Sequence, residues 1–179
     1  MGAPSAASWL TVTPAFGLKQ VLSAREFSFL IRFWLGMDIY EPSSQCPLCN
    51  EGMDSKGYHA LTCRTGGHLG IRHNALREEI FLACRVACLC PGRETPFLLS
   101  DSLERPADVF LPCFSLGQPA CLDCAVTHPQ QPIYVKDASL GKCAAANRYQ
   151  CEVKEKMYAE KCKENDLGFY PMVVEVFGG

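Results

Sequence analysis

The chain has 179 residues, of which 48% are hydrophobic, 20% are charged and 12 are cysteines, and its formal net charge is −2. This length predicts one domain, or one domain with a small appendage, and so much apolar content excludes a disordered chain. Charged residues interrupt every long apolar run and the first residues lack a charged leader region, which excludes a membrane-spanning helix and a signal peptide. The net negative charge argues against tight nucleic-acid binding by the chain as a whole. We therefore expect a soluble, intracellular protein with reduced cysteines and no membrane partner.

The first part of the chain predicts a single amphipathic helix. Ser23 and Glu26 have the spacing of a capping box, and apolar residues then recur at helical intervals until about Gly36. A polar linker containing Pro42 follows. Residues 1–42 are interpreted as a helical leader.

The later part of the chain mixes helical and strand patterns. The predicted elements are, in order, a helix from about 73 to 90, strands at 109–111 and 120–127, a loop at 129–141, a helix at 144–165 and a strand at 169–177. This order predicts an α/β fold, a small mixed sheet with flanking helices, over residues 71–179. Because the chain ends directly after a hydrophobic strand, we expect this domain to be truncated at its C-terminus.

Between these parts, Cys46, Cys49, His59 and Cys63 form the pattern C-x2-C-x9-H-x3-C. The segment 43–70 is too short and too polar for an apolar core, so a bound metal is the expected source of its stability. Three cysteines and one histidine are a standard ligand set for structural zinc, and four ligands leave no open position for catalysis. The alternative is four reduced side chains without a metal.

Two carboxylates and a lysine suggest a second site. Asp108 begins one predicted strand and Asp123 lies within the next, with 14 residues between them. A carboxylate in an apolar strand is costly to bury unless it is paired or holds a cation, and two carboxylates on adjacent strands suit Mg²⁺. Lys154, one helical turn from Tyr158, is a candidate cation for a phosphate group.

Each of these residues also has a structural alternative. Asp108 could be a turn or cap carboxylate, and Asp123 could form a salt bridge with Arg105 or Arg148. Lys154 could belong to a solvated helix face.

Together these motifs resemble a known family. They occur in the order Cys46-x2-Cys49, Asp54-Ser-Lys-Gly-Tyr-His59-Ala-Leu-x-Cys63, Arg72-His73-Asn74, Glu94-x-Pro96, Arg105-Pro-Ala-Asp108, Leu122-Asp123-x-Ala-Val-Thr127, Lys154-x3-Tyr158 and Pro171-x3-Glu175-x-Phe177-Gly178. The series resembles the C-terminal region of non-LTR retrotransposon proteins, in which a CCHC zinc knuckle precedes a restriction-like, PD-(D/E)XK-type endonuclease.

The resemblance implies roles for individual residues. Asp108 and Asp123 match the two catalytic acids, which hold Mg²⁺ or Mn²⁺ in the family. Restriction-like nucleases usually carry a lysine two residues after the second acid, where this chain has Ala125. In the retrotransposon branch the lysine comes from the following helix, which matches Lys154 with Tyr158 beside it.

The resemblance also implies a function and partners. Glu94 matches an upstream acid that assists metal binding, and the family nicks target DNA so that a reverse transcriptase can prime from the break. Such a protein acts in the nucleus on DNA, together with a reverse-transcriptase partner or with parent domains that this chain lacks.

Two readings from other classes stay open. The chain could be a catalytically inactive or domesticated zinc-containing module that binds nucleic acid or protein. The other alternative is a thiol redox protein. Against it, the thiols of Cys121 and Cys124 should lie on opposite faces of a strand.

Overall fold

The computed structural model describes residues 8–18, 21–41, 43–100, 102–129, 133–134, 136 and 144–176. Pro42 of the predicted linker, most of the predicted loop at 129–141 and residues 177–179 lie outside this part of the chain. The chain divides into two units, Ser8–Arg72 and His73–Gly179.

The first unit is built from short helical elements. They are two 3₁₀ turns at Ser8–Thr11 and Phe16–Leu18, helix α1 at Ala24–Trp34 and helix α2 at Tyr58–Thr62. The predicted capping box is confirmed: the Glu26 backbone N–H donates to Ser23 Oγ at 3.2 Å, and the Ser23 N–H donates to the Glu26 carboxylate at 2.8 Å. These two bonds satisfy backbone donors that a helix start would otherwise leave unpaired.

The second unit contains the sheet. Its elements are helix α3 at His68–Val86, which starts in the first unit, β1 at Gly92–Arg93, β2 at Val109–Ser115, β3 at Gln118–Thr127, α4 at Ala144–Tyr149, a π-helical segment at Gln150–Glu155, α5 at Lys156–Glu164 and β4 at Gly168–Glu175. The predicted strands and long helix are present with shifted ends. The two-residue β1 has no sequence signal of its own, because it is defined by its pairing with β2.

The four strands form one mixed sheet in the order β1-β2-β3-β4. Strands β1, β2 and β3 pair antiparallel, whereas β3 and β4 pair parallel, with Asp123 opposite Pro171. A parallel pair needs a crossover connection, and the helical stretch from α4 to α5 lies in it. The structure is therefore α/β, a small mixed sheet with flanking helices.

Helices cover both faces of this sheet. One core cluster comprises Phe81 of α3 with Val109, Leu111, Ala120 and Leu122. The other comprises Leu99, Ala107, Cys121, Leu167 and Cys162 of α5. Alternate residues of β3 thus enter opposite clusters, as a pleated strand requires, and residues 120–125 are all buried. A polar side chain in this stretch has to find its partners inside the protein.

Candidate functional site

The side chains of Cys46, Cys49, His59 and Cys63 converge on one point. Each offers a ligand atom, and these atoms lie within 4.8 Å of one another. Cys49 Sγ is 3.2 Å from His59 Nε2, and the Sγ atoms of Cys46 and Cys63 are 3.8 Å apart. A Cys₃His set at this spacing could hold a metal such as zinc.

A tight turn brings the first two cysteines together. Gln45 and Gly52 form an isolated antiparallel bridge, and between them Asn50 adopts a left-handed backbone with φ of 59°. The Asn50 N–H donates to the Cys46 carbonyl at 2.9 Å, which closes the turn. Asparagine tolerates this conformation better than most residues.

The same turn directs backbone donors at one thiol. Hydrogen bonds from the backbone N–H groups of Cys49 and Leu48 lower the pKa of Cys46 to about 6. Metal binding requires the thiolate form, so this arrangement favours the ligating state of the side chain.

Asp54 fixes the second half of the cluster. Its carboxylate accepts hydrogen bonds from the backbone N–H groups of Tyr58 at 2.9 Å and His59 at 2.6 Å, at the start of α2. Gly57 has φ of 81°, and a Cβ there would lie 3.3 Å from the Tyr40 ring, so the sharp entry into α2 favours glycine. One turn of α2 then presents His59 and Cys63 on the same side.

His59 is oriented from both sides of its ring. Nε2 faces Cys49, and Nδ1 lies 3.8 Å from a carboxylate oxygen of Glu51. A carboxylate behind a ligating histidine is a common outer-shell arrangement in metal sites. His68, another imidazole close in sequence, lines a cleft beside Cys46 and Cys63 but does not belong to the cluster of four.

The second predicted site lies on the sheet, where Asp123 contacts Lys154. The Lys154 Nζ atom is 3.0 Å from Oδ1 and 2.8 Å from Oδ2 of Asp123. The two side chains are only 15% and 9% exposed, for Lys154 and Asp123 respectively. The partners considered from sequence contact other groups instead, because Arg105 lies against Glu94 and Arg148 against Glu152.

Lys154 reaches Asp123 from an unusual stretch of helix. It belongs to the π-helical segment within the crossover, in which one extra residue is accommodated per turn. Such segments are rare and often occur at functional sites. Burial lowers the pKa of Lys154, but the hydrogen bond and charge of Asp123, together with Tyr149 and Asp108, raise it by more, so the ammonium form is stabilised.

Asp108 is held beside this ion pair by two donors from different elements. Its Oδ2 accepts the backbone N–H of Cys124 in β3 at 2.7 Å and lies 3.0 Å from His73 Nε2 in α3. Its own N–H donates to the Leu122 carbonyl at 3.0 Å. The carboxylate is therefore fixed against the strand that carries Asp123.

The two carboxylates interact with each other. Burial raises the pKa of Asp123, Lys154 opposes this shift, and the neighbouring Asp108 raises the pKa further through its charge and a side-chain hydrogen bond. The net result is a raised pKa of Asp123, although the Lys154 ammonium lies 2.8 Å from its carboxylate. Two carboxylates this close together each disfavour the charged form of the other.

Glu94 and Tyr158 lie at the edges of this site. Glu94 follows β1, and its N–H donates to the Asp108 carbonyl at 3.0 Å, yet its side chain contacts Arg77 and Arg105. The Tyr158 ring packs on Phe169, with 5.8 Å between ring centroids. The structure thus brings together the side chains of Asp108, Asp123 and Lys154, whereas the contacts of Glu94 and Tyr158 are with other groups.

Two groups at the second site were not singled out as site residues by sequence reasoning. His73 contacts Asp108, and the Cys124 N–H orients the same carboxylate. His73 does stand in one of the motifs quoted above. A backbone donor such as that of Cys124 leaves no signal in a sequence.

No model of a known protein family, no curated protein and no solved structure matches this chain. Within the described ranges, none of the helices is both long and apolar enough to cross a bilayer.

Proposed function

We propose that this chain is a metal-dependent DNA endonuclease of the restriction-like type, with zinc bound by its Cys₃His cluster in the manner of a zinc knuckle. The observation that carries the proposal is the group formed by Asp108, Asp123 and Lys154. It combines two interacting carboxylates, one just before β2 and one within β3, with a lysine of the crossover whose side chain is 15% exposed. Metal-assisted phosphodiester hydrolysis uses a cation site, and a fixed positive charge beside it stabilises the charge that develops on the phosphate.

The residues of this group fit a divalent cation. Asp123 Oδ2 is buried and, although 2.8 Å from the ammonium nitrogen, makes no well-directed hydrogen bond. Asp108 keeps one oxygen, Oδ1, away from the two donors that hold Oδ2. Asp108 and Asp123 would hold Mg²⁺ or Mn²⁺, which when bound polarises a water and stabilises the leaving oxygen.

The protein's own groups have separate tasks in this proposal. Asp108 is oriented before substrate arrives, because the Cys124 N–H and His73 fix its Oδ2. Lys154 stays protonated and offers its charge to the phosphate. The family resemblance also assigns Glu94 and Tyr158 to the site. In this proposal they lie at its edges and support the other three groups.

The family resemblance supplies the biological part of the proposal. A nuclease of this type would act on DNA in the nucleus, with a reverse transcriptase as partner or as the parent protein. Zinc would hold the knuckle together, since the cluster is closed by four protein ligands.

Nicking of supercoiled plasmid by the zinc-loaded protein in Mg²⁺ or Mn²⁺ tests this function. We expect the parent to cleave and both Asp108→Asn and Lys154→Met to lose at least 100-fold in rate, as for other groups that stabilise developing charge. Asp166→Asn, in a turn, and Lys156→Ala, on an exposed position of α5, are the matched controls and should cleave like the parent.

The alternative function is a binding module that does not cleave. The direct Lys154–Asp123 pair favours it, because an ion pair of this kind can be purely structural. If folded, zinc-loaded parent binds DNA but leaves plasmid intact in both metals, and Asp108→Asn binds equally well, the nuclease assignment is wrong and the binding module stands.

A further inference from the structure

Two arginines next to Asp108 share a single carboxylate. Arg77 of α3 donates through Nη1 to Glu94 Oε1, and Arg105 Nη1 lies 3.5 Å from Glu94 Oε2. Both oxygens of Glu94 are thus engaged by guanidinium groups. We name Arg77, Arg105 and Glu94 the arginine clamp.

The clamp lies directly beside the candidate catalytic group. Arg93 of β1 pairs with Val109 of β2, and the next residue pair continues this ladder, with the Glu94 N–H bonded to the Asp108 carbonyl at 3.0 Å. An anion bound in the clamp would therefore adjoin a phosphate held at Asp108 and Asp123.

The two arginines differ in how firmly they are held. Arg77 is only 13% exposed and keeps a second contact, 3.4 Å from Glu78 Oε1. Arg105 is 57% exposed, Glu94 is 47% exposed, and their contact is the long one. Glu94 also adopts a left-handed backbone, with φ of 42°, which a glutamate rarely occupies without a local reason. The buried guanidinium is thus fixed, while the carboxylate between the two arginines has a route to solvent.

A guanidinium group that donates two hydrogen bonds to a carboxylate can donate to a phosphate in the same way, because both anions present a pair of oxygens at similar spacing. We propose that Arg77 and Arg105 bind a backbone phosphate of a polynucleotide adjacent to the scissile one, and that Glu94 occupies this site in the free protein until nucleic acid displaces it. The proposal rests on DNA as the substrate of the proposed nuclease, and it gives Glu94 a role different from assisting metal binding.

The two roles of Glu94 predict opposite results for Glu94→Gln. A residue that competes with phosphate should, when neutralised, allow tighter DNA binding. A residue that helps hold the cation should, when neutralised, weaken cation binding and leave DNA affinity without cation unchanged.

The experiment is fluorescence anisotropy of a labelled DNA duplex with zinc-loaded protein, at several salt concentrations and without Mg²⁺ or Mn²⁺, so that cleavage does not enter. We expect Glu94→Gln to bind about 3- to 10-fold more tightly, with a salt dependence steeper by about one phosphate contact. Arg105→Gln should bind more weakly, with the salt slope reduced by about one. Because Arg105 is exposed, that variant should fold normally, and circular dichroism and zinc content verify this for both variants.

Glu152→Gln is the matched control. It makes the same change in net charge and also removes the carboxylate partner of an arginine, since Glu152 lies 3.0 Å from Arg148. An equal gain in Glu94→Gln and Glu152→Gln would be an effect of net charge alone and would overturn the clamp. Unchanged or weaker binding by Glu94→Gln, including no DNA binding by parent and variant, would overturn it as well.

Two further measurements identify the ligand and test this proposal independently of the nuclease proposal. Inorganic phosphate at constant ionic strength should compete with DNA for the clamp and abolish the gain of Glu94→Gln, and a gain that persists at saturating phosphate would overturn the clamp as a phosphate site. Calorimetric titration with Mn²⁺ should give the same affinity for parent and Glu94→Gln, and a loss would assign Glu94 to the cation instead. Tighter binding by Glu94→Gln together with no plasmid cleavage by the parent would support the clamp and refute the nuclease.

Discussion

His73 Nε2 lies 3.0 Å from Asp108 Oδ2 and joins helix α3 to the edge of the sheet at the candidate catalytic acid. The contact uses the oxygen that also accepts the Cys124 N–H, so groups from two different elements hold Asp108 Oδ2 in place. The His73 ring is about one-third exposed, which places this contact at the rim of the site. In the proposed nuclease, His73 would therefore be a positioning residue that acts through Asp108.

We predict that His73→Ala lowers plasmid cleavage 10- to 100-fold, the range typical when an outer-shell partner of a metal ligand is removed. The cleavage rate should fall more at low Mg²⁺ than at saturating Mg²⁺. Without His73, the Asp108 side chain rotates freely and loses conformational entropy when it binds the cation. Rates measured across a Mg²⁺ series check this. His68→Ala, on an exposed position at the start of the same helix, should behave like the parent.

His73→Asn provides the rescue. Its amide can donate to Asp108, so it should recover part of the activity at high Mg²⁺. Full activity of His73→Ala at every Mg²⁺ concentration would show that the Cys124 N–H alone orients Asp108.

For the Cys₃His cluster, we predict one bound zinc per chain and its loss in Cys49→Ser. Elemental analysis of protein purified with zinc measures the stoichiometry directly. The buried apolar cluster of segment 43–70 is small and consists of Cys46, Met53 and Cys63. Loss of the metal should therefore unfold this segment. Fluorescence of Trp34 and Trp9, both in the first unit, reports that change.

Two variants control for the zinc experiment. Cys151→Ser removes an exposed cysteine outside the cluster, and His68→Ala removes the neighbouring imidazole. Both should keep one zinc. Zinc retained by Cys49→Ser at parental stoichiometry would mean that the metal uses other ligands.

Lys154→Met should destabilise the protein in a pH-dependent way. Burial and Asp108 already raise the pKa of Asp123, and Lys154 is the group that opposes them. Without the lysine the pKa rises further, so the folded state binds a proton that the unfolded state has already released. The stability lost therefore grows as pH rises from the usual aspartate pKa through the folded one.

We expect Lys154→Met to be less stable than the parent by about 3 kcal/mol near neutral pH, in the range found when one partner of a buried ion pair is removed. The deficit should shrink near pH 4. Urea unfolding followed by far-UV circular dichroism measures it, since both tryptophans lie in the other unit. Lys154→Arg should stay close to the parent, and Asp123→Asn combined with Lys154→Met should recover stability at neutral pH. A deficit independent of pH would contradict the ion-pair explanation.

The core of the sheet unit gives a further prediction. Leu111 is fully buried against Phe81 and Leu122, and Leu111→Ala should cost about 2–5 kcal/mol of unfolding free energy. Leu116, at the β2–β3 turn, is fully exposed, so Leu116→Ala should change stability by less than about 0.5 kcal/mol. Urea unfolding of the two variants compares the same chemical change in two environments. Equal effects would mean that this cluster is not the stabilising core.

Much of the local structure follows from the sequence alone. The capping box of Ser23 and Glu26, the strand pattern around Asp123 and the spacing from Cys46 to Cys63 are short-range signals, each set by neighbouring residues. The Cys₃His cluster was predictable for the same reason, because a turn and one helical turn bring its four ligands together within a short segment.

The tertiary structure alone determined how distant residues pair. Sequence reasoning considered Arg105 or Arg148 for Asp123, but the π-helical segment of the crossover brings Lys154 there instead. His73 contacts Asp108 across 35 positions, and Glu94 faces two arginines. Such contacts depend on the sheet register and on the helix packing over each face. Residue spacing does not encode these relationships, because they arise only when the whole sheet assembles.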